Sequence, residues 1–171
     1  GTNGVNGLDG TCTIVTLAPT STGLGFYGSF FSTQTQSNLA QVNKMTFDTT
    51  DVANGVSIVN GSRITFANAG TYNIAFSAQL DKTDSGQDTV DIWLSNAAGA
   101  MSWTDTKIDN NNNNGKVVAA WNFFVTVSAG EFVELNWYSA DQAMRVYAQQ
   151  AQTDPTIPEI PSVILTVNQV H

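Results

Sequence analysis

The chain has 171 residues and a mass of 18.2 kDa, the size of one domain that buries about two-thirds of the surface of its unfolded chain. Hydrophobic residues make up 42% of it and include nine Phe, four Trp and four Tyr, which excludes a wholly disordered chain. Only 12% of residues are charged, and six basic against fourteen acidic side chains leave a net charge of −8, which argues against nucleic acid or an anionic membrane as partner, because both need a basic face.

The chain opens on Gly1 rather than Met and reads as a mature form or a piece of a longer chain. Glycine falls at 1, 4, 7 and 10. At ordinary glycine usage, three further glycines in register arise by chance about once in several thousand trials. A flexible Gly/Asn linker is one reading of residues 1–12. The register favours the other, the end of a collagen-like Gly-X-Y stalk, in which only Gly fits at the axis of three chains. Cys12 is the only cysteine, so no intrachain disulfide framework exists, and a structurally idle thiol is the simplest expectation. Residues 13–23 read as a connector and 24–171 as the globular domain.

From residue 24 the apolar pattern has period two, the signature of strands. Tyr72, Ile74, Phe76, Ala78 and Leu80 form one series, and Val90, Ile92 and Leu94 a second. Val117 to Val127 and Val133, Leu135 and Trp137 supply two more. Turn pairs such as Asn54-Gly55, Asn60-Gly61 and Ala129-Gly130 separate the runs. Ten strands are predicted, over 25–33, 42–47, 56–59, 62–67, 70–80, 88–96, 117–128, 131–139, 143–150 and 161–170, with no amphipathic helix. Such a pattern suits an all-β sandwich or jelly roll. No apolar run reaches the roughly 18 residues of a spanning helix.

Several strands are apolar on both faces. Phe132 and Tyr138 oppose Val133, Leu135 and Trp137, and the neighbours Phe30/Phe31, Phe123/Phe124 and Ile164/Leu165 point opposite ways. Either long loops cover the second face or a partner subunit does, since large apolar patches mark interfaces.

The runs Gly70-Thr71-Tyr72-Asn73-Ile74-Ala75-Phe76-Ser77, Asp91-Ile92-Trp93-Leu94, Gly130-Glu131-Phe132-Val133 and Pro161-Ser162-Val163-Ile164-Leu165, in that order, resemble the tumour-necrosis-factor-like jelly roll of the complement globular-head type, which follows collagen stalks. The resemblance spans about residues 24–170 and departs in its last strand, which is largely aliphatic here. It implies a homotrimer of ten-stranded jelly rolls. It also implies that the outward side chains of an inner sheet meet around a threefold axis, with Asn73, Ala75, Ser77, Phe132, Asn136 and Tyr138 as the candidates. The low-charge, Asn/Thr/Gln-rich style is similar to the heads of viral fibres and bacterial surface filaments.

Signals for chemistry are few. The sole histidine is His171, the last residue, so a Ser-His-Asp arrangement is not expected. Asp88/Asp91 and Glu131/Glu134 are spaced by three, which on a strand sends the members of each pair to opposite faces rather than astride one glycosidic bond. Asp81, Asp84 and Asp88 cluster around Gly86 and offer hard oxygen ligands that suit calcium, with Lys82 as competitor and a solvated acidic hairpin as the plainer reading. Five consecutive asparagines at 110–114 make a polar loop, and Asn110, Asn112, Asn114 and the nearby Trp103 are candidates for contact with a sugar. No other cofactor is expected. These signals favour a non-enzymatic trimeric head of a collagen-like fibre that registers three chains and displays loops for glycan or receptor binding at a virion or cell surface. The rival is a soluble ligand-type module for a protein receptor, and a polysaccharide-acting enzyme comes third.

Overall fold

A computed structural model describes residues 25–111 and 114–171. The Gly-X-Y tract 1–12 with Cys12, the connector 13–23 and Asn112 lie outside the described residues. Two seven-stranded antiparallel sheets face each other. The first runs β2 (Gln36–Ser37), β13 (Met144–Val146), β7 (Gly70–Lys82), β16 (Val163–Gln169), β1 (Tyr27–Ser32) and β4 (Thr49–Asn54), with β11 (Lys116–Val127) on the free edge of β7. The second runs β10 (Thr106–Asn110), β8 (Asp88–Asn96), β12 (Phe132–Tyr138), β6 (Arg63–Phe66) and β5 (Val56–Val59). Two short strands join it: β3 (Asn43–Lys44) on β12 and β9 (Gly99–Ala100) on β8. A separate small ribbon pairs β14 (Gln152–Thr153) with β15 (Thr156–Ile157). No helix among the described residues is long and apolar enough to cross a membrane.

The period-two series set the core. Tyr72, Ile74, Phe76, Ala78 and Leu80 of β7 and Val163, Leu165 and Val167 of β16 point inward from the first sheet. Val90, Ile92 and Leu94 of β8 and Val133, Leu135 and Trp137 of β12 meet them from the second. Phe66 and Tyr72 join the layers, their ring centroids 4.6 Å apart, and the Tyr72 hydroxyl escapes burial without a partner by donating to the Asn68 carbonyl at 3.0 Å. The Asn60-Gly61 turn between β5 and β6 has φ of 53° and 76°, the left-handed region that Asn and Gly tolerate best.

The strand set differs from the expected ten in a regular way. β4, β10 and the two-residue strands β2, β9, β14 and β15 are additional, the 42–47 run holds only β3, and the 143–150 run holds only β13. β4 (Thr-Thr-Asp-Val-Ala-Asn) and β10 (Thr-Lys-Ile-Asp-Asn) are edge strands. Polar edges block pairing with other chains, so these two carry little of the alternation that reveals an inner strand.

Candidate functional site

The outward face of the first sheet is continuous across four strands. Register brings Phe31, Ile164, Ser77 and Ala120 into one row, Ser29, Thr166, Ala75 and Asn122 into the next, and Tyr27, Asn168, Asn73 and Phe124 into a third. The centre is low because Ala75 and Ser77 are small, and a shallow depression of about 200 Å³ lies over them, edged by Ile164 and Thr166. Around it stand exposed apolar side chains, Phe124 at 67%, Val118 at 56% and Ile164 at 41% of their full accessibility. An amide chain links the second row to the third: Asn122 donates to the Asn73 side-chain oxygen at 2.8 Å, and Asn73 donates to that of Asn168 at 3.2 Å. The expected face residues Asn73, Ala75 and Ser77 thus share one surface, and Ile164, Val118 and Phe124 complete it. Phe124 had a readable signal in its adjacency to Phe123, which points inward.

Phe132, Asn136 and Tyr138 do not belong to that surface. They lie on β12, in the middle of the second sheet and on the opposite side of the sandwich. Alternation was read correctly along the strand, but it does not reveal which sheet a strand joins. The chain itself covers most of the outward face of β12. Asn136 is buried and donates to Ser95 Oγ at 2.8 Å. Phe132 carries the Arg63 guanidinium 4.3 Å above its ring.

Beside Asn136, Glu134 takes Lys44 Nζ at 2.6 Å and Ser62 Oγ at 2.8 Å, with Arg63 at 3.8 Å. Burial pushes its carboxyl up, but the hydrogen bonds from Lys44 and Ser62 and the charges of Lys44 and Arg63 outweigh that and hold it below the usual glutamate range.

Next to this covered strip the second sheet opens into a groove of about 500 Å³ lined by Val42, Asp91, Trp93, Trp103, Asp105 and Tyr138, among others. Trp103 is fully exposed, at 101%, and has a φ of 68°, which is strained for a bulky side chain. The turn that carries it is fastened to β8. Met101 N donates to the Leu94 carbonyl at 2.8 Å, Leu94 N donates to Thr104 Oγ1 at 3.0 Å, and that hydroxyl donates to the Met101 carbonyl at 2.8 Å. Asp91 receives Lys107 Nζ at 2.7 Å. Trp93 was not singled out in the sequence, because its run reads as core and its outward turn follows only from the inward Ile92 and Leu94.

Asn110, at the end of β10 away from Trp103, does not line this groove. Asn110 is wholly buried and donates to the Gly115 carbonyl at 3.0 Å, so it braces the loop and cannot reach a ligand. Asn114 is exposed, in a left-handed turn with φ of 50°.

The three candidate calcium ligands separate. Asp81 is buried and bound by Arg145, whose Nε and Nη2 donate at 3.0 and 2.6 Å. Alternation fails at the end of β7, where Asp81 and Lys82 are both buried. Lys82 Nζ enters the acidic turn and is bonded to Asp88, to the Gly86 carbonyl at 2.7 Å and to Asp84 at 3.5 Å. Asp141 joins Asp84 and Asp88 there in place of Asp81. Burial works against the Lys82 charge, and Asp88 followed by Asp84 more than offsets it, so its pKa is raised. An ammonium of the protein already occupies the position a cation would take.

No family model matches the chain, and no curated protein matches it. Among solved structures it is similar to the globular domain of zebrafish complement 1qA protein, with 13% sequence identity and a TM-score of 0.56, over 86% of this chain and 98% of that one. At that identity the likeness bears on the fold, which is a jelly roll of the complement globular-domain kind.

Proposed function

We propose that this chain is a non-enzymatic trimeric head, closing three copies through the outward face of the first sheet and displaying loops at a virion or cell surface. The observation that carries the reading is that face itself: small Ala75 and Ser77 at the centre, ringed by exposed Ile164, Val118 and Phe124. Small residues let three sheets approach an axis, and the apolar ring supplies the driving force. The resemblance of the motif order to the complement globular-head type implies a homotrimer of this kind.

The N-terminal end of the described residues suits a stalk that enters at one end of the face. Phe26 N donates to Gln169 Oε1 at 3.3 Å, and Gln169 N donates to the Phe26 carbonyl at 2.8 Å, so β1 begins beside the last residues of the chain. A head that brings three copies together raises the local concentration of the Gly-X-Y segments and helps their triple helix to start.

The carboxylates offer support for a non-enzymatic role. Glu134, Asp91 and Asp88 are each held by a lysine, the arrangement of structural ion pairs rather than of a poised acid and base. The test is Ala75→Arg, which places a long cation at the centre of the face. Sedimentation should find folded monomers with the circular dichroism of the parent. A variant that still sediments with the parent would remove this face from the assembly.

A further inference from the structure

We propose that the groove on the second sheet, with Trp103 as its platform, is a binding site for neutral pyranose units of a glycan. The proposal gives a ligand class to the display role above and rests on that reading for its setting. The groove itself lies on the opposite sheet from the trimer face.

Three observations converge on it. Trp103 holds its indole entirely in water, where it leaves on the order of 200 Å² of ring surface unburied. It does so from a left-handed backbone, φ 68°, a conformation that costs energy for any residue with a Cβ. Both costs persist because the turn is pinned at Met101 and Thr104 to Leu94, so the platform is fixed before a ligand arrives. Strain combined with exposure at a braced turn is unexpected of a residue that serves only the fold.

The surroundings define the ligand. Trp93 and Tyr138 add two further aromatic side chains, and Val42 closes one side. The C–H face of a pyranose is apolar and flat enough to lie on an indole, while its hydroxyls donate to carboxylate oxygens such as those of Asp91 and Asp105. The groove is open rather than a closed cage, and among the described residues its lining includes two carboxylates and no basic side chain. Lys107, the nearby cation, is already bonded to Asp91. Sialylated, uronic and sulfated sugars meet like charge there, and the chain as a whole carries −8. Neutral hexose or N-acetylhexosamine units meet none.

The test is a titration of the whole chain with cellotetraose, chitotetraose and mannotetraose, and with a heparin tetrasaccharide as the acidic control. Binding is read from tryptophan fluorescence and calorimetry. At least one neutral probe should bind and perturb the fluorescence, and heparin should not. Trp103→Gly, which relaxes the left-handed turn, should weaken binding by about tenfold or more with an unchanged or higher melting temperature and an unchanged mass. Asp105→Asn should weaken it less. The proposal fails if no neutral probe binds, if heparin binds instead, or if Trp103→Gly binds as the parent does. It fails equally if that variant changes the mass of the assembly, because the groove would then be a contact between copies. The trimer would survive the first three results, and loss of the trimer alone would leave the groove standing.

Discussion

At the scale of single residues, Glu134 and Trp103 are opposite solutions to placing a difficult side chain. Glu134 is a buried acid made tolerable by Lys44, Ser62 and Arg63. Its pKa is lowered in the folded chain, so the stability it contributes is present above the unfolded value of about 4.3 and is lost as pH falls through the lower folded value. Asp48 acts in the same direction: slight burial raises its pKa, and hydrogen bonds from Thr33 and Thr49 lower it further than that. Thermal melts from pH 6 down to about pH 2 should therefore show the parent losing more stability than Glu134→Gln. That variant should itself cost about 1–2 kcal/mol at neutral pH, a charged hydrogen bond discounted for the exposure of Lys44. Trp103 is the reverse case, an apolar residue kept out of the core. Trp103→Gly trades relief of the left-handed strain against a more flexible unfolded chain, for a net gain of about 0–1 kcal/mol. By contrast, Trp137 is completely buried between the sheets, and Trp137→Ala should cost about 3–5 kcal/mol in chemical denaturation. An unchanged midpoint would mean that the ring is not core.

Among the strands, legibility followed apolar alternation. That of β7, β8 and β12 was plain in the sequence because each sits inside a sheet and must present one greasy face to the other layer, and that of β11 was as plain although it lies on the edge of β7. β4 and β10 were hidden because these two edge strands are written largely in Thr, Asn, Asp and Lys. Which side chains turn outward on β12 was also legible. The sheet that β12 joins was not, since it depends on long-range pairing with β6 and β8 and not on any local pattern. Tyr138→Asp should accordingly leave the trimer intact and perturb only the groove, whereas a change of mass would place β12 at the interface. The acidic turn after β7 was legible as composition, but the direction of Lys82 was not, because regular alternation stops there. With Lys82 Nζ seated between Asp84 and Asp88, adding calcium or EDTA should leave the melting temperature where it is. A rise with calcium would mean that the ammonium gives way.

For the whole molecule, the two faces of the sandwich differ in what they expose. One sheet presents a low, apolar centre with an amide chain along one side, the kind of surface that self-association hides. The other covers its own middle strand with Lys44, Arg63 and the β3 segment and leaves an aromatic groove beside it. A resemblance in the order of short motifs pointed to the jelly roll, and the likeness in fold to a complement globular domain at 13% identity shows how little of such a sequence the fold fixes. Self-association through the first sheet is tested most directly by the mass of the purified chain, measured by light scattering across micromolar concentrations. Three chains, each of 18.2 kDa, should travel together throughout the range. A single-chain mass that persists at the highest concentration would contradict it and leave the apolar face of the first sheet without a purpose.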